Sequence, residues 1–239
     1  MSKLCQKRCF LIFLKKNVEK SIASKEVTAK MKYDSIIFDL DGTLWNATKA
    51  IYETWKVVLK KHQEISKKEV TLDEIRKSMG LQVEDIAKKY FADLDIKKGI
   101  ELMDECGVLE CEYLKDNGGD LYDNLESAIN KLSKKYKLFI VSNCQDGYIE
   151  SFLKAHNMEQ YFKDYECPGR TGLSKGENNK IIIERNNLKN PIYVGDTEGD
   201  KKAAHYSGIP FVYARYGFGK VEEYDYVIDN IQDLEMIIK

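Results

Sequence analysis

The sequence predicts an α/β fold, a doubly wound parallel sheet with an inserted all-helical cap. Three observations predict it. Short apolar runs rich in β-branched residues recur at 35–40 and through the second half of the chain, segments of helical spacing separate them, and the stretch from 46 to 118 is almost free of strand-like runs. Apolar runs of this length suit strands buried on both faces of a parallel sheet. Their alternation with helices implies helices on both faces of that sheet.

Residues 1–30 stand apart. They carry eight Lys/Arg against two Glu, a net charge of +6, whereas the rest of the chain has a net charge of −7. Within them Cys9-Phe10-Leu11-Ile12-Phe13-Leu14 is apolar and lies between Lys7-Arg8 and Lys15-Lys16. A signal peptide needs a longer apolar centre and a small-residue cleavage site. Met31-Lys32-Tyr33 reads as a domain start, so residues 1–30 are expected to be a dispensable or unstructured extension, with a short tail helix as the alternative.

Ser35-Ile36-Ile37-Phe38-Asp39-Leu40 reads as a buried strand ended by Asp41-Gly42. Ile51, Trp55, Val58 and Leu59 then recur at helical spacing, 82–90 and 100–115 repeat that pattern, and Asp116-Asn117-Gly118-Gly119 breaks it. The expected organisation is therefore an α/β core from 31–45 and 119–239 with a helical cap at 46–118. In the core, Leu125, Ala128, Ile129 and Leu132 mark a helix before the strand Leu138-Phe139-Ile140-Val141. A helix over 177–187 precedes the strand Ile192-Tyr193-Val194, and a helix over 199–207 follows it. Phe211-Val212-Tyr213-Ala214 and the weaker Tyr226-Val227-Ile228 complete the sheet.

Composition narrows the function classes. A net charge of −1 over 239 residues gives no field to attract nucleic acid. No apolar run approaches the roughly 20 residues that span a membrane. The six cysteines, Cys5, Cys9, Cys106, Cys111, Cys144 and Cys167, form no CxxC pair. They read as free thiols in a reducing compartment, so the expected location is cytoplasmic. Neither the GxGxxG nor the P-loop pattern is present.

The chemistry concentrates at strand ends. Asp39-Leu40-Asp41-Gly42-Thr43 places two carboxylates at i and i+2 after an apolar strand, and a bend at Gly42 redirects the second. Ligands of doubly wound sheets bind beyond the carboxyl ends of the strands. One acid of such a pair is suited to nucleophilic attack, the other to proton transfer, and their repulsion calls for a cation between them. Asp93-Leu94-Asp95 is the same triplet without the strand or the Gly-Thr, and reads as a solvated helix end or loop. Gly195-Asp196-Thr197-Glu198-Gly199-Asp200 follows another strand, and Asp196 and Asp200 project together as oxygen ligands or as helix-capping acids. Ser142-Asn143 ends a strand, where a hydroxyl and a backbone N–H suit a phosphoryl oxygen or a simple turn. Lys175 lies in the Gly-flanked loop Gly172-Leu173-Ser174-Lys175-Gly176 as a compact positive charge. Cys144 reads as a packed thiol, with a place near the pocket as the alternative, and Arg215-Tyr216-Gly217-Phe218-Gly219 as a glycine turn, with a place at the border of the site as the alternative, while His62, His156 and His205 share no motif.

This order of D-x-D-G-T, Ser-Asn, Lys and G-D-x-x-x-D resembles the four motifs of the haloacid dehalogenase superfamily over about residues 33–230. Phe38-Asp39-Leu40-Asp41-Gly42-Thr43-Leu44 and Tyr193-Val194-Gly195-Asp196 resemble its phosphoglycolate-phosphatase-like branch, and the helical insert resembles one of its cap classes. The resemblance implies a magnesium-dependent phosphatase acting on a small phosphorylated metabolite, with no nucleic-acid or membrane partner. It implies that Asp39 is the nucleophile and that Asp41 protonates the leaving oxygen and then activates water. Ser142, the Asn143 backbone and Thr43 would bind substrate, and Lys175 would neutralise the phosphoryl group and orient Asp39. Mg²⁺ would be held by Asp39, Asp196 and the Asp41 carbonyl, with Asp200 in support. A phosphomutase would use the same residues. A dehalogenase would not need Asp41, and a non-catalytic binding protein would have lost a motif acid.

Overall fold

The computed structural model describes residues 32–64 and 69–238, so the expectation for residues 1–30 lies outside the described residues. Its strands are β1 (Ser35–Phe38), β2 (Trp45–Asn46), β3 (Asp120–Leu121), β4 (Lys137–Val141), β5 (Phe162–Glu166), β6 (Pro191–Gly195), β7 (Phe211–Ala214) and β8 (Tyr226–Ile228). Six of them form one all-parallel sheet in the order β5-β4-β1-β6-β7-β8. β1 is central, and Ile36 pairs with Leu138 on one side and Ile192 on the other. The chain builds outward from β1 in both directions. The strand order therefore reverses at β1, the place where parallel sheets open a crevice for ligands.

Alternate side chains of the central strands enter two cores. Ile36, Phe38, Leu138 and Ile140 pack in one, and Ile37, Phe139, Tyr193 and Phe211 pack in the other. Burial on both faces explains why these strands read as continuous apolar runs. β5, at one edge, was not visible as such a run. It carries exposed Lys163, and its Asp164 and Glu166 are gripped by Arg185.

The described residues between β2 and β3 are purely helical: α1 (Thr48–Lys61), α2 (Leu72–Arg76), α3 (Val83–Tyr90) and α4 (Ile96–Asn117). The two chain crossings that flank them pair as an antiparallel ribbon, Trp45 with Leu121 and Asn46 with Asp120. Asp95 caps the start of α4 by accepting from the Lys97 N–H at 3.0 Å, which is the helix-end role expected of the Asp93–Asp95 triplet. Gly118 ends α4 with φ 69°.

The remaining helices are α5 (Leu125–Ser133), α6 (Tyr148–Ala155), α7 (Pro168–Thr171), α8 (Lys175–Arg185), α9 (Glu198–Tyr206) and α10 (Leu234–Ile237). α6 lies against α4, and the Ser151 hydroxyl donates to the Cys111 carbonyl at 3.0 Å. Among the described residues no helix is long and apolar enough to cross a membrane.

Candidate active site

Asp39 follows β1 directly, Ser142 follows β4, and Asp196 follows β6, so adjacent parallel strands deliver them to one edge of the sheet. The Asp39 N–H donates to the Val194 carbonyl at 2.8 Å, which extends the pairing of β1 with β6 up to the acid itself. The chain then turns. The Leu44 N–H donates to the Leu40 carbonyl at 2.8 Å and the Gly42 N–H to the Trp45 carbonyl at 2.9 Å. Gly42 has φ +85°, and a Cβ there would lie 2.3 Å from Asp196 Oδ2, so only glycine fits both the turn and the carboxylate beside it.

Lys175 is buried and donates to Asp39 Oδ1 at 2.8 Å and to Asp200 Oδ1 at 2.7 Å. The sequence reading placed Lys175 in a loop, and the structure corrects this. It is the first residue of α8, because Ser174 caps the helix and forms a capping box with Glu177. Burial opposes its charge, yet the Asp200 and Asp39 carboxylates overcome this and hold the ammonium ionised. Asp200 Oδ2 accepts from Thr197 Oγ1 at 2.6 Å, the Thr197 N–H at 2.9 Å and the Asp196 N–H at 3.2 Å. Asp200 therefore anchors the lysine to the loop after β6.

Asp196 is oriented from the other side. Its Oδ2 accepts from the Phe218 N–H at 2.6 Å and the Gly219 N–H at 3.3 Å. Its Oδ1 is buried with no hydrogen-bond partner. Burial and the charges of Asp200 and Asp39 push the Asp196 carboxyl well up, against the Phe218 amide and Lys175. Burial and Asp200 also raise Asp39, against the pull of Lys175. One carboxylate oxygen from each of Asp39, Asp196 and Asp200 lies within 4.8 Å of the others. Three buried carboxylates around one ammonium leave negative charge uncompensated. That charge, and the orphaned Oδ1 of Asp196, fit a hard divalent cation with oxygen ligands. The Asp41 side chain is not part of this group.

Asp41 turns instead to α6, where the Tyr148 hydroxyl donates to its Oδ1 at 3.0 Å. Burial and the Asp39 charge push its carboxyl up to about 8, although the Tyr148 hydrogen bond pulls the other way. Two carboxylates two residues apart thus sit in opposite settings, one against an ammonium and one against a phenol.

Ser142 is buried at the end of β4. The Asn143 side chain reaches across to the insert, where its Nδ2 donates to the Gly80 carbonyl at 2.9 Å, and its Oδ1 is buried without a partner. Thr43 is fully buried, its hydroxyl has no partner, and its carbonyl accepts from the Tyr216 hydroxyl at 2.9 Å. A cavity of about 470 Å³ opens beside Asp41. Its walls come from the core through Asn143, Gln145 and Tyr148 and from the insert through Trp55 and Glu110. Burial pushes the Glu110 carboxyl up to about 7, against hydrogen bonds from Trp55 and Gln145.

Sequence reasoning missed several of these parts. Tyr148, Glu110 and Gln145 carry no motif. The segment Arg215–Gly219 is indeed a turn, closed by the Gly217 N–H to Ala214 carbonyl bond at 3.1 Å, but its amides also orient Asp196. The Gly-x-Gly spacing was the available signal, since a Cβ on Gly217 would lie 2.3 Å from Asp196 Cβ. Cys144 is a buried thiol that also lines the cavity. The histidines are dispersed: His62 meets Glu105, His205 meets Asp225, and His156 packs against Trp45.

Residues 36–214 match the family of haloacid dehalogenase-like hydrolases. Among solved structures, a predicted phosphatase from Clostridium acetobutylicum is similar, with 23% identity, 86% of this chain and 98% of that chain covered, and a TM-score of 0.72. A predicted phosphoglycolate phosphatase from Haemophilus somnus 129PT is similar at 20% identity, with 88% and 100% covered and a TM-score of 0.75. The CbbY protein of Rhodobacter sphaeroides, solved as a mutant in complex with xylulose-(1,5)bisphosphate, is similar at 14% identity, with 84% and 96% covered and a TM-score of 0.70. At these identities the likeness is one of fold. No curated protein matches the chain in sequence.

Proposed function

The chain belongs to the haloacid dehalogenase-like hydrolases, and on that footing we propose that it is a Mg²⁺-dependent phosphatase that hydrolyses a small phosphate monoester through an aspartyl phosphate on Asp39. The observation that carries this reading is the contrast between Asp39 and Asp41. Lys175 at 2.8 Å favours the ionised, attacking form of Asp39, whereas Asp41, pushed up to about 8, holds a proton near neutral pH. Environments that separate the behaviour of two neighbouring carboxylates divide the roles of nucleophile and acid.

In this reading an Asp39 oxygen attacks phosphorus and the ester P–O bond breaks. The leaving oxygen takes the proton of Asp41. Asp41, now a carboxylate, accepts a proton from water as the water attacks the aspartyl phosphate, so inorganic phosphate leaves and Asp39 is regenerated. Tyr148 fixes the Asp41 carboxyl on the cavity side. Lys175 offsets the phosphoryl charge and positions Asp39, and Asp200 positions Lys175. Ser142, the Asn143 backbone and Thr43 hold the phosphoryl group. Mg²⁺ would be held by Asp39, Asp196 and the Asp41 carbonyl, with Asp200 supporting, and would neutralise phosphoryl charge that the carboxylates otherwise repel. The helical insert would act as the cap, and the four free thiols among the described residues, three of them buried, fit a reducing cytoplasm.

Hydrolysis of para-nitrophenyl phosphate tests the reading. Chelated enzyme should be inactive and Mg²⁺ should restore turnover. Full turnover after exhaustive chelation, or none with Mg²⁺, would refute it.

A further inference from the structure

We infer that the cavity beside Asp41 selects phosphate monoesters of amine-bearing alcohols over those of neutral alcohols, and rejects esters whose leaving alcohol carries a carboxylate or a second phosphate. This rests on the phosphatase reading and goes beyond it. If Asp41 hands its proton to the leaving oxygen, the leaving alcohol lies on the Asp41 side, in the cavity of about 470 Å³.

The charge of that cavity is one-sided. Among the described residues Asp104, Glu110, Glu112 and Asp146 line it beside the proton-bearing Asp41, and no Lys, Arg or His does. Among the described residues, the neighbouring cations do not line the cavity. Lys175 serves Asp39 and Asp200, Arg170 pairs with Asp146 and Glu150, and the Arg76 guanidinium lies over the Phe218 ring at 5.6 Å. Arg170 therefore offsets Asp146, but among the described residues no cation pairs with Glu110. Glu110 is buried, and its oxygens accept from the neutral Trp55 indole and from the Gln145 amide at 2.8 Å. Asp104 and Glu112 are exposed at the rim.

A substrate carboxylate or phosphate in this space would be desolvated beside Glu110 with no counter-charge, which disfavours it strongly. An ammonium would supply the missing positive charge, and the Trp55 and Tyr148 rings in the wall suit a cation as well. An uncharged alcohol would gain only the apolar contact. The similar structures whose names carry phosphoglycolate and a bisphosphate therefore do not supply this chain's substrate class.

The test uses three esters of similar size, 2-aminoethyl phosphate, propyl phosphate and phosphoglycolate, on the full chain with Mg²⁺. Each is measured as a substrate and as a competitor of para-nitrophenyl phosphate hydrolysis. The expected order in kcat/KM, and in inverse inhibition constant, is amine, then neutral, then carboxylate. At pH 8, where Glu110 carries its charge, a unit charge a few ångström away, partly screened by solvent, supports steps of roughly 10- to 100-fold. Glu110→Gln should shrink the ratio of amine to carboxylate ester at least about tenfold. Gln cannot accept from both Trp55 and Gln145 through its amide nitrogen, so the rim variant Asp104→Asn/Glu112→Gln, at exposed positions, provides a second test and should shrink the ratio in the same direction. Preference for phosphoglycolate by the unaltered chain, or a ratio unmoved in both folded variants, overturns the inference. No turnover of para-nitrophenyl phosphate overturns the phosphatase reading instead.

Discussion

Replacing Lys175 by Met keeps the length and apolar stem of the side chain and removes only the ammonium. In the structure that ammonium is buried and donates at 2.8 Å to Asp39 and at 2.7 Å to Asp200, two carboxylates that are themselves almost wholly buried. Removing one partner of a buried ion pair costs about 3–5 kcal/mol, because the charges left behind lose their compensation without regaining water. At about 2–4 °C per kcal/mol for a chain of this size, the melting temperature should fall by roughly 6–20 °C. Lys77→Met is the control. Its partner Asp73 sits one helical turn away, both side chains are about two-thirds exposed, and no change in melting temperature is expected. Differential scanning calorimetry on both variants, with turnover of para-nitrophenyl phosphate measured alongside, gives the comparison. Lys175→Met should lose both stability and most activity. A drop no larger than the control's would refute the claim that this lysine is the charge centre of the site.

Other perturbations separate the remaining parts. Asp41→Asn should slow alkyl esters by about 10²–10⁴-fold, the usual worth of general acid–base help, and aryl esters of acidic phenols much less, as read from initial rates on both ester types. Gly42→Ala should abolish metal-dependent turnover, because its Cβ would lie 2.3 Å from Asp196 Oδ2 at φ +85°. Isothermal titration with Mg²⁺ should show the lost binding directly. Glu110 is raised from 4.5 to about 7 by burial, so the folded chain binds this proton more tightly than the unfolded chain. Its contribution to stability is full below about 4.5 and is lost as pH rises through about 7, a total of up to about 3 kcal/mol. Glu110→Gln should flatten that part of the melting-temperature profile between pH 5 and 8.

Legibility in the sequence followed burial and range. β1, β4, β6 and β7 were visible because central strands bury both faces and so carry no polar interruption. β5 was not, since an edge strand tolerates Lys163 and uses Asp164 and Glu166 for pairing with Arg185. The β2–β3 ribbon joins Trp45 to Leu121 through two-residue strands, a pairing that no local pattern encodes. Asp39 and Asp196 were legible because each directly follows an apolar strand, and Asp41 because it stands beside the turn-forming Gly42. The placement of Lys175 was misread although the Ser174 and Glu177 spacing of a capping box was present, because the flanking glycines were weighed as loop formers. Tyr148 and Glu110 were illegible for a different reason. Their roles depend on α6 and α4 meeting across the cavity, and that contact is tertiary.

The most direct test of the account is mass spectrometry of enzyme quenched during turnover of an aryl phosphate with Mg²⁺. The unaltered chain should carry a phosphoryl group on Asp39, and Asp41→Asn should accumulate it, because the attacking water lacks its base. Asp39→Asn should carry none. A phosphoryl adduct on Asp39→Asn, or an adduct on another residue of the unaltered chain, would contradict the assignment of Asp39 as the nucleophile.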